Sequence, residues 1–188
     1  SYGNTVSSND PSTSATLQTQ WGSAGSGNGQ FSNPYGVSVS SGGNVYVTDR
    51  GNNRVQVFDS NGNYLNQFGS AGSGNGQFNQ PNGIVVDSTG NVFVADTGNH
   101  RVQKFNSSGT YLAQFGGFGS ADGQFNTLVG LAKDCSDNIY VADTGNQRIQ
   151  KFNNAGVFIS KFGSAGSGNG QFANPTNLDI NSSGSIYV

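Results

Sequence analysis

Three segments of the chain carry an acid and a base at one fixed spacing. Asp49 precedes Arg54, Asp96 precedes Arg101 and Asp143 precedes Arg148, each pair inside the pattern Asp-x-Gly-Asn-x-Arg. A carboxylate beside a guanidinium could hold a ligand, or it could close a turn, with the Asp accepting backbone N–H bonds and Gly and Asn tolerating positive φ. The pattern returns unchanged in every copy, whereas grafted sites are local, so the turn is the better reading. Other chemistry is thinly supplied. His100 is the only histidine and Cys135 the only cysteine. A zinc site needs three or four ligands, usually His or Cys, and every Asp near His100 belongs to a repeat turn, which leaves no Ser-His-Asp set. The stretch Gly-Ser-Ala-Gly-Ser-Gly-Asn-Gly resembles a phosphate loop in composition, but no Lys or helix follows it. Asp122 stands where sister copies carry Asn28, Asn75 and Asn169, and one carboxylate does not make a Ca²⁺ site. Asn106 and Asn181 open glycan-acceptor triplets, a weak signal in a chain this rich in Asn and Ser. No catalytic residue, metal ligand or cofactor is expected, and the chain reads as a non-enzyme.

The elements that must position these residues recur every 47 positions: Gln30-Phe31 returns as Gln77-Phe78, Gln124-Phe125 and Gln171-Phe172. A period of this length marks a solenoid, a propeller or an array. Each unit holds four short runs rich in Val, Ile, Phe and Tyr, separated by Gly-Asn, Ser-Gly or Asn-Gly. In the first unit these are 36–40, 44–49, 54–58 and 64–68. No apolar run keeps a helical period, so no helix is expected. Four antiparallel strands per unit predict an all-β protein, a β-propeller with full blades at 30–68, 77–115 and 124–162 and partial blades at both ends. A blade is covered on both faces, so Val57 and Phe58 should both be buried. Gly36, Gly83 and Gly130 should lie where first strands approach the axis. The Gly-rich connectors read as flexible crossovers between blades. Residues 1–14 read as a flexible segment, and 15–188 as the propeller or propeller arc, with 15–21 as an outermost strand.

The pattern Gln-Phe-x-x-Pro-x-Gly-Val, followed by Asn-Val-Tyr-Val-x-Asp-x-Gly-Asn-x-Arg-Val-Gln-x-Phe and the Gly-rich connector, resembles the NHL-repeat family of β-propellers over residues 15–188. Leu128 in place of Pro34, and Asn177 in place of the first-strand Gly, depart from it. The resemblance implies a propeller, most often of six blades, but no single activity. Relatives include RNA binders with a basic face, protein binders, lyases with a histidine-ligated metal and extracellular sensors.

Residues that vary between units are where specificity can reside. Arg50, Asn53, Thr97, His100, Phe118, Thr144 and Gln147 fall on connectors and second-to-third-strand hairpins, which share one propeller face. Tyr35, Asn82, Val129 and Thr176 are expected near its centre. The leading expectation is a binding module for protein or glycan, using this loop face. The alternatives are a structural subunit assembled by blade completion between copies and, less well supported, a metal-dependent lyase or hydrolase. Nucleic acid is not expected as a partner, because formal charge is −2 and the eight basic residues are scattered. No run of about 18 apolar residues encodes a membrane span. Low charge, the absence of Glu and the abundance of Asn and Ser suggest an extracellular or surface location. The length is four periods, and Val188 falls two strands into a blade. Residues 7–11 have the phase of a third strand without its apolar alternation. Self-association or a longer parent chain is therefore expected over a closed four-bladed monomer.

Overall fold

The computed structural model describes residues 19–188. The expected segment 1–14 and most of the strand 15–21 lie outside them. The chain is all-β. Three four-stranded antiparallel sheets follow one another, each with its strands side by side in sequence order. The first comprises Pro34–Val39, Val45–Asp49, Arg54–Phe58 and Tyr64–Phe68. The second comprises Pro81–Val86, Val92–Asp96, Arg101–Phe105 and Tyr111–Gly116. The third comprises Leu128–Lys133, Ile139–Asp143, Arg148–Phe152 and Phe158–Phe162. A two-stranded sheet, Asp179–Ile180 with Ile186–Tyr187, begins a fourth blade. First strands start two residues earlier than the sequence suggests, because Pro34 still pairs with Asp49 across a register shift. Helical turns do occur: Arg50–Asn52, Thr97–Asn99 and Thr144–Asn146 each form one 3-10 turn. Three residues are too few to show an apolar period.

There is no single central core. Hydrophobic clusters fill the spaces between blades: Tyr46, Val55 and Val57 of the first pack with Ile84 and Val86 of the second. Phe93 and Val102 of the second pack with Leu131, Ile139 and Val141 of the third. Both faces of a blade are therefore apolar, and Val57 and Phe58 are 4% and 1% exposed. First strands line the axis, where neighbouring backbones nearly touch. A Cβ at Gly36 would lie 2.6 Å from the Asn82 carbonyl oxygen, and one at Gly83 would lie 2.5 Å from that of Val129. Only glycine allows that approach.

Candidate functional site

The Asp-x-Gly-Asn-x-Arg hairpins build one network per blade. In the second, Asp96 is fully buried. Its Oδ1 accepts the Asn79 N–H at 2.7 Å, and its Oδ2 accepts Arg101 Nε at 2.8 Å and Gln103 Nε2 at 3.0 Å. The Arg101 Nη2 reaches across to the connector carbonyls of Gly74 (2.7 Å) and Gln77 (3.1 Å), while Nη1 donates to Gln114 Oε1 at 2.6 Å. Gln103 returns the contact by accepting the Gly76 N–H at 2.9 Å. The connector is thus riveted to the blade at its carbonyls and amides, and is not the loose crossover that its composition suggested. The first blade repeats the same bonds through Asp49, Arg54 and Gln56. Acid and base are spent on each other and on backbone, which leaves the network no free valence for a ligand.

Turn geometry also differs from expectation. The positive-φ residue is not the Gly or the Asn of the pattern but the variable one after them: Asn53, His100 and Gln147, at φ 51, 53 and 54. The Gly is required for space, since a Cβ at Gly51 would strike Ser32 and one at Gly98 would strike Asn79. The buried Gln56, Gln103 and Gln150 are central to the network, and sequence reasoning missed their role. Their recurrence in all three units was the available signal.

The eleven variable positions separate into two groups. Asn82, Thr97, Val129 and Thr144 are buried, between 4% and 9% exposed, and so are not part of an open surface. Thr97 Oγ1 donates to the Leu128 carbonyl at 2.8 Å and accepts from Asn82 Nδ2 at 2.8 Å, and Thr144 Oγ1 donates to the Pro175 carbonyl at 2.6 Å. They join blades. The other seven lie on the rim. Tyr35, Thr176 and Phe118 are exposed, and Arg50, Asn53, His100 and Gln147 are half-buried. Four of these also latch neighbouring blades. Asn53 Oδ1 accepts the Gln80 N–H at 2.8 Å, and Gln147 Oε1 accepts the Asn174 N–H at 2.6 Å. His100 Nδ1 faces the Thr127 N–H at a longer 3.4 Å. Arg50 Nη2 adds a 2.8 Å bond to Gln80 Oε1.

One junction departs from the others. Phe118, 70% exposed, stands where the sister connectors carry Ala24, Ala71 and Ala165. Its ring meets the edge of His100 with centroids 4.9 Å apart. At the preceding junction the corresponding Asn53 and Ala71 instead border an open notch of about 310 Å³ with Asn79 and Asn99. Asp122, in the same divergent connector, pairs with Lys161 at 2.5 Å and lies 3.9 Å from Arg148 Nη1. Lys161 occupies the place of Gln67 and Gln114, the neutral acceptors of the other two arginines. The acid therefore balances a second cation and has no need of a metal. Asn106 and Asn181 close turns through Oδ1, which accepts the N–H groups of Ser108 and Thr110 in one and of Ser183 and Ser185 in the other. Asp59 and Asp87 close equivalent turns elsewhere. Among the described residues, no three His, Cys, Asp or Glu side chains are grouped so as to hold a metal ion.

Fold and site together define a tandem-repeat β-propeller whose recurring polar residues are structural and whose rim carries the variation. The sequence profile of the NHL repeat matches residues 31–58, 78–105 and 125–152. The chain carries three NHL repeats, one in each complete blade. Over 45 residues it is 49% identical to protein lin-41 of Caenorhabditis elegans, a match covering 24% of this chain and 4% of that protein. Among solved structures, a streptogramin B lyase aligns with a TM-score of 0.60 and 17% identity over 83% of this chain and 47% of its own. A chain of a nidogen/laminin complex aligns with a TM-score of 0.56 and 20% identity, over 80% and 53%. At those identities the likeness is one of fold. This chain spans about half the length of these structural neighbours.

Proposed function

We propose that this chain is a non-enzymatic binding module whose loop rim recognises protein, with the Phe118–His100 corner as the anchor. The observation that carries the reading is the contrast between positions. Buried network residues repeat from blade to blade, whereas at one connector an exposed aromatic, in contact with the one histidine, replaces the alanine of the sister copies. Exposed aromatics are favoured anchors because they bury a large area at small entropic loss. Likeness to a lyase concerns fold, and fold alone supplies no chemistry. A glycan is the alternative ligand, and an extracellular or surface setting suits the low charge and absence of Glu. The test is a random-peptide display selection on the folded chain. Enriched clones should lose binding to Phe118→Ala and keep it to Leu112→Ser, a change at an exposed apolar residue away from the rim. Clones indifferent to Phe118 would refute the anchor, and no enrichment for peptides but retention of an immobilised glycan would move the reading to glycans.

A second reading, association between copies, is favoured by an open blade face. Val37 and Val39 are 64% and 60% exposed, whereas Ile84 and Val86, one period later, are 5% and 3% exposed beneath the preceding blade. Light scattering on dilute protein should then show species larger than one chain, reduced to monomer by Val37→Asp with Val39→Asp. A monomeric parent protein would end this reading.

A further inference from the structure

Three successive blade junctions are closed on the rim by the residue that follows the 3-10 turn, which accepts the N–H of the residue ahead of the next first strand. At the outer two the acceptor is an amide and the latch is double. Asn53 Oδ1 accepts the Gln80 N–H at 2.8 Å, while Arg50 Nη2 bonds Gln80 Oε1 at 2.8 Å. Gln147 Oε1 accepts the Asn174 N–H at 2.6 Å, while its Nε2 donates to Asn174 Oδ1 at 3.0 Å. The middle junction has one such bond, and the longest, from the Thr127 N–H to His100 Nδ1 at 3.4 Å. The residue it holds is also the least comfortable of its kind. Asn33, Gln80 and Asn174 precede a proline at φ 51, 52 and 57, whereas Thr127, at φ 58, is β-branched and precedes Leu128. A β-branched residue at positive φ is a true backbone outlier and stores strain. Thr127 is exposed, so water can take its N–H once the bond is broken.

The middle acceptor differs from the others in kind. An amide oxygen accepts at any ordinary pH. An imidazole accepts at Nδ1 only while neutral, with its proton on Nε2, and is a donor at both nitrogens once protonated. Imidazole is the side chain that changes charge between about pH 8 and about pH 5. No neighbouring group takes over the contact. In its own hairpin Asp96 and Arg101 are bound to each other, in the adjoining connector Asp122 pairs with Lys161, and behind the Asn126–Thr127 loop Asp143 pairs with Arg148. Among the described residues no carboxylate forms an ion pair with the His100 ring.

From this geometry we infer that His100 is a proton-operated latch on the rim: gaining a proton, it releases the Thr127 N–H, loosens the junction of the second and third blades and weakens recognition at the Phe118 corner. That last step rests on the binding reading, because His100 is the ring against which Phe118 stands, with centroids 4.9 Å apart. While Thr127 holds the imidazole, the corner is preorganised; once it lets go, the ordering of both rings falls on the binding step and lowers affinity. The loss is that of one hydrogen bond. Affinity for a peptide selected through Phe118, and free of His, Asp and Glu, should therefore fall about three- to tenfold between about pH 8 and about pH 5.

The test is NMR on the folded chain across that pH range. At its upper end the His100 ring should be the Nε2–H tautomer, with Nδ1 accepting. As the ring gains its proton, the Thr127 amide should lose hydrogen-exchange protection relative to its intrinsic rate, while the Gln80 and Asn174 amides in the same sample keep theirs. His100→Asn, which installs the acceptor of the first blade, and His100→Gln, which installs that of the third, should each abolish the response of Thr127 and the pH dependence of peptide binding. An Nδ1–H tautomer, a Thr127 amide indifferent to His100 protonation, or the same response in both variants would overturn the latch. Equal affinity for the peptide at both ends of the range would overturn its coupling to recognition. The amide readout needs no partner. A responsive Thr127 with no Phe118-dependent peptide would uphold the latch and end the binding reading, whereas an indifferent Thr127 with such a peptide would do the reverse.

Discussion

Asp96 shows how little freedom a recurring polar residue has. It is buried and bonded to Asn79, Arg101, Gln103 and Asn99. Asp96→Ala strands the guanidinium of Arg101 and should cost about 3 kcal/mol or more in a denaturant melt. Asp122 is the opposite case: its carboxylate and the Lys161 ammonium are both about half exposed. The pair should be worth only about 0.5 kcal/mol in a double-mutant cycle with Lys161→Gln, and less as salt rises. Two other carboxylates should contribute to acid stability. Burial pushes the Asp87 carboxyl up, but hydrogen bonds from Asn154, Asn91 and Thr89 outweigh it and hold its pKa at about 2. Asp134 behaves alike, with burial opposed by Asn138, Lys151 and the Ser136 N–H, also ending at about 2. Both values lie below the ordinary 3.8, so the stabilisation is complete above that pH and is lost as pH falls through about 2. The melting temperature should therefore drop between about pH 4 and pH 2, and Asp87→Asn with Asp134→Asn should flatten that drop. An unchanged slope in the double variant would show that other groups control the transition.

At the scale of elements, blades are held together less by strand pairing than by what crosses between them. The Thr48, Thr97 and Thr144 hydroxyls each donate to a carbonyl of the next blade, those of Asn82, Leu128 and Pro175. Thr97→Val keeps the volume but leaves the Leu128 carbonyl without this bond, and should cost about 1–2 kcal/mol in thermal or denaturant unfolding. The axis is less forgiving. Gly83→Ala places a Cβ 2.5 Å from the Val129 carbonyl oxygen and 2.8 Å from the Leu131 nitrogen, both backbone atoms that yield only if a blade shifts. A cost of about 2 kcal/mol or more is expected, at the upper end of overpacking effects. Asn177 occupies the equivalent place in the partial fourth blade, so a further blade could not approach that strand as closely as the first three approach one another.

Across the described residues, most of the basic charge is spent within the chain. Of the eight basic residues, Arg54, Arg101, Lys133, Arg148, Lys151 and Lys161 sit in ion pairs. Arg50 instead bonds Gln80, and Lys104 bonds Asn154. Phosphate binding needs clustered, unspent cations. Labelled single-stranded RNA should therefore show no tight, salt-dependent anisotropy change with this protein at physiological ionic strength; tight binding that weakens steeply with salt would contradict the charge map.

The amino-acid sequence by itself determined the repeat, the strand order, the all-β class and the pairing of Asp49, Asp96 and Asp143 with their arginines. These are local or periodic properties, legible because hydrophobic alternation and turn chemistry act over a few residues and the copies can be compared with one another. Only the tertiary structure decided which variable residues face solvent. Thr97, Thr144, Asn82 and Val129 looked like surface residues because they differ between copies, yet they are buried where one blade meets the next. A residue on a loop is exposed or covered according to the neighbouring blade, 31 positions away in the bond from Thr97 to Leu128. The same reason hid the role of Gln103. Its partner Gln77 lies 26 residues away, and no local pattern shows that a connector folds back to meet it.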